Sequence, residues 1–167
     1  MPVQRLNHAV LYVRDVDRSV AFYREALGFR VVMGFPGAAF LQAEGSSNDH
    51  DLGLFQIGPD ATASGAGRTS VGLYHLAWEV DTLAELERVA TKLTQLGALV
   101  GASDHSTTKA LYAKDPDGLE FEVSWLVPSH LLTEDIINGR TAIKPLDIPR
   151  EKARFGAETR GGVGVSV

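Results

Sequence analysis

Hydrophobic and polar residues along this chain follow two different periods, which succeed each other in the same order twice. In each copy, a strand-like run with every second residue apolar precedes a segment whose apolar residues recur every three or four positions. Three further short strand-like runs complete each copy. The copies cover residues 4–58 and 71–126. Such a repeat predicts a doubled supersecondary unit, here of the form βαβββ.

Signals at the ends of the two predicted helices support this interpretation. In the first copy we predict a helix over residues 18–27, with Gly28 as its C-terminal stop. In the second copy we predict a helix over residues 83–96, where Thr82 and Glu85 have the spacing of a capping box. The remaining strands are predicted over 29–33, 39–43, 52–57, 98–101, 110–114 and 120–125.

Each copy by itself provides a sheet too small to bury an apolar face well. We therefore predict an α+β fold in which two βαβββ modules form a cupped, barrel-like mixed sheet with helices outside. Residues 1–127 would make up this domain, with the glycine- and serine-rich residues 59–70 as the linker between modules. We expect a C-terminal extension over 128–167, with a short helix near 129–138, an extended stretch over 145–149 and a loose tail from 161 onward.

The composition excludes several classes of function. The chain has a net charge of −5 over 167 residues, so it lacks the excess of basic residues expected of a nucleic-acid-binding protein. It has no apolar run long enough for a membrane span and no signal segment at its start, so we expect a cytoplasmic protein. The absence of cysteine rules out disulfides, thiolate metal sites, iron–sulfur clusters and a cysteine nucleophile.

Three residues on separate strand-like segments have the chemistry of a metal site. His8 and His75 occupy the same position in the two copies, and Glu122 lies on the last strand of the second copy. Two imidazoles and one carboxylate leave positions open for substrate and O2, and this set suits non-haem Fe(II), although Mn(II), Ni(II) or Zn(II) accept the same ligands. The ordinary alternatives are structural histidines and a surface carboxylate. Glu120 shares the face of Glu122 and is the main competitor as ligand.

Four segments carry a resemblance to a known family. The most specific are Phe22-Tyr23-Arg24-Glu25-Ala26-Leu27-Gly28-Phe29 and Asp115-Pro116-Asp117-Gly118-Leu119-Glu120-Phe121-Glu122, and the others cover residues 6–13 and 74–78. With these segments the chain resembles the vicinal-oxygen-chelate superfamily, which includes glyoxalase I, fosfomycin-resistance proteins and type I extradiol dioxygenases. The resemblance implies the doubled-module fold and the ligand set His8, His75 and Glu122, but it does not select one chemistry.

Three further residues bring the chain nearest to single-domain extradiol dioxygenases of the catechol 2,3 type. His50 resembles a histidine of those enzymes that takes a proton from the substrate hydroxyl and later returns one. Tyr112 lies where they carry an active-site tyrosine that donates to the substrate oxygen, and His105 lies where they often carry another histidine. The resemblance thus implies ring cleavage of a catechol-type aromatic by O2 on Fe(II). We also expect a homo-oligomer, a dimer or higher.

Other functions of the same superfamily stay open at this point. A glyoxalase-type isomerase normally takes a fourth ligand from the end of the first copy, where the chain offers only Gln56. A fosfomycin-type thiol transferase needs cationic residues, which the apolar stretch 123–127 does not supply. A non-catalytic small-molecule-binding protein would not need the three ligands. Whether the modules pair within one chain or swap between two chains is also left open.

Overall fold

The computed structural model describes residues 2–67 and 69–162. The chain divides into two compact units, Met1–Ser64 with Asp115–Gly118, and Gly65–Lys114 with Leu119–Val167. One sheet of four strands and one of five strands carry the mixed α+β fold. The predicted α+β fold class is therefore confirmed. Over the described residues, no helix is long and apolar enough to cross a bilayer.

The first unit contains the strand–helix–three-strand order that the repeat predicts. Its elements are β1 (Ala9–Val13), α1 (Val16–Leu27), β2 (Arg30–Phe35), β3 (Ala38–Gln42) and β4 (Leu52–Gln56). The strands lie in the order β1-β4-β3-β2. β1 and β4 run parallel, whereas the other neighbouring strands are antiparallel.

Local capping explains the limits of α1. The Asp15 side chain accepts a hydrogen bond from the backbone N–H of Arg18, so the helix begins at Val16 rather than at residue 18 as predicted. It ends at Gly28, whose left-handed φ of 72° suits glycine. Helix α1 packs against β3 and β4, and the buried Leu11 and Val13 of β1 mark the side of the sheet that it covers. We call the opposite side of each sheet its non-helical face.

A buried tyrosine anchors the turn Asp115–Gly118, which belongs to the first unit. The Tyr23 hydroxyl donates to Asp115 Oδ2 at 3.2 Å. Burial and the adjacent Asp115 carboxylate raise the pKa of Tyr23 well above its ordinary value, so the phenol stays protonated as a donor. Arg14 reaches the same turn, with its Nη1 at 2.9 Å from Asp117 Oδ1.

Replacing this hydroxyl is expected to destabilise the fold. Tyr23→Phe leaves the ring in place but removes the donor to a buried carboxylate, which costs roughly 1–3 kcal/mol. Urea unfolding should show this loss of unfolding free energy. The control is Tyr12→Phe, whose tyrosine is 71% exposed and should change stability by less than about 0.5 kcal/mol. Equal stability of the two variants would contradict this account of the Tyr23–Asp115 contact.

The second unit repeats the order and adds a C-terminal part. Its elements are β5 (His75–Glu79), α2 (Leu83–Gln95), β6 (Leu99–Asp104), β7 (Thr108–Lys114), β8 (Glu120–Leu126), α3 (Glu134–Asn138), β9 (Lys144–Pro145) and α4 (Ile148–Phe155). The strands lie in the order β5-β8-β7-β6-β9, with β5 parallel to β8. Of the predicted capping box, the half that the structure shows is the Thr82 hydroxyl accepting from the Glu85 backbone N–H.

The C-terminal extension differs from the prediction in one element. Residues 145–149 are predicted as extended, and Pro145 does lie in strand β9, but Asp147 caps a helix that begins at Ile148. Pro149 lies in the first turn of this helix, which is a favoured place for proline. Helix α4 is held by contacts that are distant in sequence. The Phe155 ring lies 5.5 Å from the Trp125 ring, and Trp125 Nε1 donates to the Thr159 carbonyl at 3.1 Å.

The first two residues of the predicted loose tail are bound to the second unit. The backbone N–H of Gly161 donates to the Asp81 carbonyl at 2.7 Å, and that of Gly162 donates to the Leu126 carbonyl at 3.3 Å. These two glycines therefore dock on the second unit. The rest of the predicted tail, residues 163–167, lies outside the described residues.

Candidate metal centre

Two of the three predicted ligands meet on the non-helical face of the second sheet. β5 and β8 pair in parallel with Ala77 opposite Glu122, so alternation puts His75 and Glu122 on the same face. His75 Nε2 lies 3.4 Å from Glu122 Oε2, and both side chains are largely shielded from solvent. An imidazole and a carboxylate are thus held side by side by regular strand geometry.

The geometry and surroundings of this pair fit a metal ion. The 3.4 Å separation is longer than a normal hydrogen bond. It matches the spacing of two donor atoms that each lie about 2.1 Å from one ion. The donor set of imidazole and carboxylate is one that divalent transition metals accept.

The structure also separates Glu122 from its competitor Glu120. Both carboxylates lie on the same face of β8, as alternation predicts. Glu120 Oε1, however, lies 3.4 Å from the Nζ of the exposed Lys114. Glu122 is the carboxylate that contacts His75, which favours it as ligand.

Tyr112 and His105 lie beside this pair. Tyr112 is directly opposite Glu122 in the β7–β8 ladder, and its ring is edge-on to His75 with 6.1 Å between centroids. Burial, with smaller contributions from Glu122 and Tyr74, raises the pKa of Tyr112, so its hydroxyl remains a neutral donor. His105 Nε2 is 2.9 Å from the Tyr112 hydroxyl. Four of the six predicted site residues therefore form one cluster.

The other two predicted residues, His8 and His50, contact each other in the first unit. Their ring centroids are 4.4 Å apart. His8 Nδ1 lies 2.6 Å from Asn7 Oδ1, and His50 Nδ1 lies 2.9 Å from Asp49 Oδ2. Because these oxygens accept hydrogen bonds, they favour the tautomer in which a neutral ring carries its proton on Nδ1 and has Nε2 as an acceptor. His50 Nε2 is buried and has no hydrogen-bond partner among the described residues.

An aromatic cluster lies on the non-helical face of the first sheet, next to His50. Phe35, Phe40 and Phe55 contact one another with ring centroids 5.8–6.3 Å apart. Phe40 packs edge-on against His50 at 5.0 Å. Phe35 is 55% exposed and is not among the site residues predicted from the sequence. The signal that could have identified it is its position in an apolar run just before Pro36 and Gly37, which indicate a hairpin turn.

The structure does not bring the three predicted ligands His8, His75 and Glu122 together among the described residues. Over residues 2–67 and 69–162, no group of three or more His, Asp or Glu side chains is arranged to hold a metal ion. The second unit provides the pair His75 and Glu122, and His8 belongs to the first unit. A third ligand from His8 is therefore a proposal, and it rests on the equivalence of His8 and His75 in the repeat.

Relatives of known activity span several chemistries. The chain is 32% identical over 118 residues to the catechol-2,3-dioxygenase of Bacillus subtilis, a match that covers 71% of this chain and 40% of that protein. It is 26% identical over 129 residues to the metallothiol transferase FosB of Lysinibacillus sphaericus, covering 73% of this chain and 82% of that protein. The chain thus spans only about two fifths of the length of the dioxygenase it matches.

Solved structures show the same fold. The lactoylglutathione lyase of Agrobacterium tumefaciens superposes with a TM-score of 0.55 at 24% identity, covering 74% of this chain and 95% of that one. The family model described as Glyoxalase/Bleomycin resistance protein/Dioxygenase superfamily matches residues 5–123. Members of this superfamily bind divalent metals, in agreement with the donor set found here. The chain belongs to the glyoxalase/bleomycin resistance protein/dioxygenase superfamily.

Proposed function

We propose that the protein is an Fe(II)-dependent extradiol dioxygenase that opens the ring of a catechol-type aromatic. The observation that carries this proposal is the cluster of His75, Glu122, Tyr112 and His105 on one sheet face. A metal-ligand pair with a neutral phenol beside it is suited to bind and polarise a substrate that carries hydroxyl groups. His8 is the proposed third ligand, with Fe(II) favoured over Mn(II), Ni(II) and Zn(II) because the reaction requires O2 chemistry.

We assign the catalytic domain to residues 1–127, with modules 4–58 and 71–126 joined by the linker 59–70. A homo-oligomer remains a prediction.

The reaction needs no external reductant. Both atoms of O2 enter the product, and the ring bond next to one hydroxyl-bearing carbon breaks. The substrate supplies the four electrons that reduce O2, so a catechol and O2 together account for every atom of a muconic semialdehyde-type product. When bound, a ferrous ion would lower the pKa of a coordinated phenol and allow its electrons to reach O2.

The protein's own residues would handle the protons. With Nδ1 hydrogen-bonded to Asp49, a neutral His50 would present Nε2 as an acceptor, so it would take a proton from a substrate hydroxyl and return it later. Tyr112, kept neutral by its raised pKa, would donate a hydrogen bond to the substrate oxygen as negative charge develops there. His105 would hold that hydroxyl in place.

The isomerase alternative is disfavoured by the direction of Gln56. Its Oε1 accepts a hydrogen bond from the backbone N–H of Val16 at 3.1 Å, so it caps the start of α1. Gln56 also pairs with Val13, on the helical side of the sheet. At the same end of β4, the non-helical face carries Phe55, which cannot bind a metal. The fourth ligand expected of a glyoxalase-type isomerase is therefore lacking at the strand that should provide it.

Isotope labelling tests the proposed reaction. The full chain is loaded with Fe(II) without oxygen and then given a catechol under ¹⁸O2. The aldehyde of the product is reduced with borohydride at once, because its oxygen would otherwise exchange with water. Mass spectrometry of the trapped product should then show both labelled atoms. A product that carries no label, or turnover of a methylglyoxal–thiol adduct instead, would overturn the proposal.

Tyr112→Phe is expected to slow catalysis without loss of metal. The ring remains against His75, but the donor to the developing charge is absent, which should lower kcat roughly 100-fold. Bound iron is quantified in parallel and should equal that of the unmodified protein. A kcat within about twofold of the unmodified protein would rule out the donor role of Tyr112.

A further inference from the structure

The C-terminal extension holds the β6–β7 hairpin from three directions. Strand β9 pairs with β6 at Ser103 and Asp104. Gly139 lies so close to the hairpin tip that a Cβ there would be 2.7 Å from Ser106 Oγ. From α4, the Glu151 carboxylate reaches Lys109, with 3.1 Å between Oε2 and Nζ. The extension is therefore part of the hairpin's structure.

Lys109 is the centre of these contacts. Its side chain is fully buried, as is that of Glu151. Lys109 donates hydrogen bonds to Asp104 Oδ1 and to the Ser106 carbonyl. Its contact with Glu151 is an ion pair that has the distance of a hydrogen bond but not the alignment. A buried ammonium is stable only when its charge is compensated in this way.

The same contacts fix the turn between the strands. Asp104 Oδ1 accepts from the Ser106 backbone N–H at 2.7 Å, and Ser106 adopts a left-handed φ of 67°. Burial alone would raise the pKa of Asp104, but the hydrogen bonds from Lys109 and Ser106 hold it below its usual range. Asp104 is therefore a carboxylate at neutral pH and keeps both donors.

This turn carries His105, whose Nε2 contacts the Tyr112 hydroxyl at 2.9 Å. The proposal rests on the proposed function, in which Tyr112 donates to the substrate. We propose that the C-terminal extension, through Glu151 and Lys109, positions the His105–Tyr112 pair for catalysis. Lys109 and Glu151 are positioning residues, since they lie on the helical side of the sheet and act through the hairpin.

The first test needs no activity. Imidazole nitrogen NMR is recorded on the metal-free, ¹⁵N-histidine-labelled full chain. Glu151→Gln preserves shape but removes the charge, and it should shift the His105 Nε2 resonance while leaving that of the exposed His130 in place. Lys114→Met, on the same strand as Lys109 but exposed, should shift neither. An unchanged His105 resonance in Glu151→Gln would overturn the proposal.

The second test is a double-mutant cycle on the iron-loaded enzyme. Glu151→Gln should lower kcat roughly 10–100-fold with little change in KM, because it misplaces a donor rather than removing a substrate contact. In a Tyr112→Phe background the same substitution should have no further effect. Additive effects would mean that Glu151 is merely structural. If the unmodified protein opens no ring, the proposed function fails while the NMR result still decides the positioning proposal.

A variant that leaves the ion cluster intact provides an independent test. Gly139 has an ordinary helical φ of −72°, so alanine fits its backbone, but the new Cβ must displace Ser106. Gly139→Ala should therefore shift the His105 resonance. Adding Ser106→Gly removes the obstructing side chain at a position whose φ suits glycine, and should restore the resonance. Failure of this rescue would contradict the proposed path from the extension to His105.

Discussion

Glu122→Ala should abolish iron binding and ring cleavage together. The substitution removes one ligand of the pair that the second sheet holds 3.4 Å apart. Loss of a residue that only supports a ligand typically costs 10–100-fold in metal affinity, so loss of the ligand itself should cost at least about 100-fold. Titration of the metal-free protein with Fe(II) under nitrogen measures this affinity directly.

Glu120→Ala is the matched control for this experiment. Glu120 lies on the same strand and the same face, two positions before Glu122, and pairs with the exposed Lys114. Its removal should leave iron affinity within about twofold of the unmodified protein, since a partly exposed ion pair contributes little. If Glu120→Ala lost the metal and Glu122→Ala kept it, the ligand assignment would be reversed.

Lys109→Met should cause the largest loss of stability in the second unit. It removes the buried cation between Asp104 and Glu151 and leaves them only partly exposed arginines, with Arg150 in contact with both carboxylates. Breaking a buried ion pair of this kind costs about 3–5 kcal/mol. Urea unfolding should show a lower midpoint with an unchanged slope. Combining Lys109→Met with Glu151→Leu should recover part of the loss, because it removes one of the two buried carboxylates that Lys109 compensates.

Lys114→Met separates burial from the loss of positive charge. Lys114 is on the same strand as Lys109, but its side chain is 46% exposed and its partner Glu120 is partly exposed as well. Its replacement should change the free energy of unfolding by less than about 0.5 kcal/mol. Similar losses in the two lysine variants would show that the buried cluster does not stabilise the second unit.

The repeat, and the candidate ligands His75 and Glu122 on it, can be predicted from the sequence because they depend on local patterns. Alternation along a strand places Glu120 and Glu122 on one face without any knowledge of the fold. Periodicity and Gly28 predict helix α1, and Asp15 is recognisable from the sequence as a helix-start residue, as the structure confirms. The predicted first helical residue, Arg18, lies two positions too late, an error that is usual at helix ends.

Helix α4 and the burial of Lys109 could not be predicted in the same way. Helix α4 has eight residues, too few to be stable by propensity alone, and it is held by the contact of Phe155 with Trp125. A lysine in an alternating strand is normally read as solvent-exposed. Lys109 is buried because its charge is compensated by Asp104 and by Glu151, which is distant in the sequence. An ion pair between residues far apart in the sequence cannot be predicted from the pattern of either segment alone.

Oxygen uptake is the most direct test of the proposed activity. The metal-free full chain is reloaded anaerobically with Fe(II), or with Mn(II), Ni(II) or Zn(II), and given a panel of catechols in air-saturated buffer. We expect one O2 consumed for each yellow ring-fission product with Fe(II), and loss of both signals in Glu122→Ala and His50→Ala. Bound iron without oxygen uptake across the panel, together with turnover of a methylglyoxal–thiol adduct or an epoxide, would contradict the dioxygenase assignment.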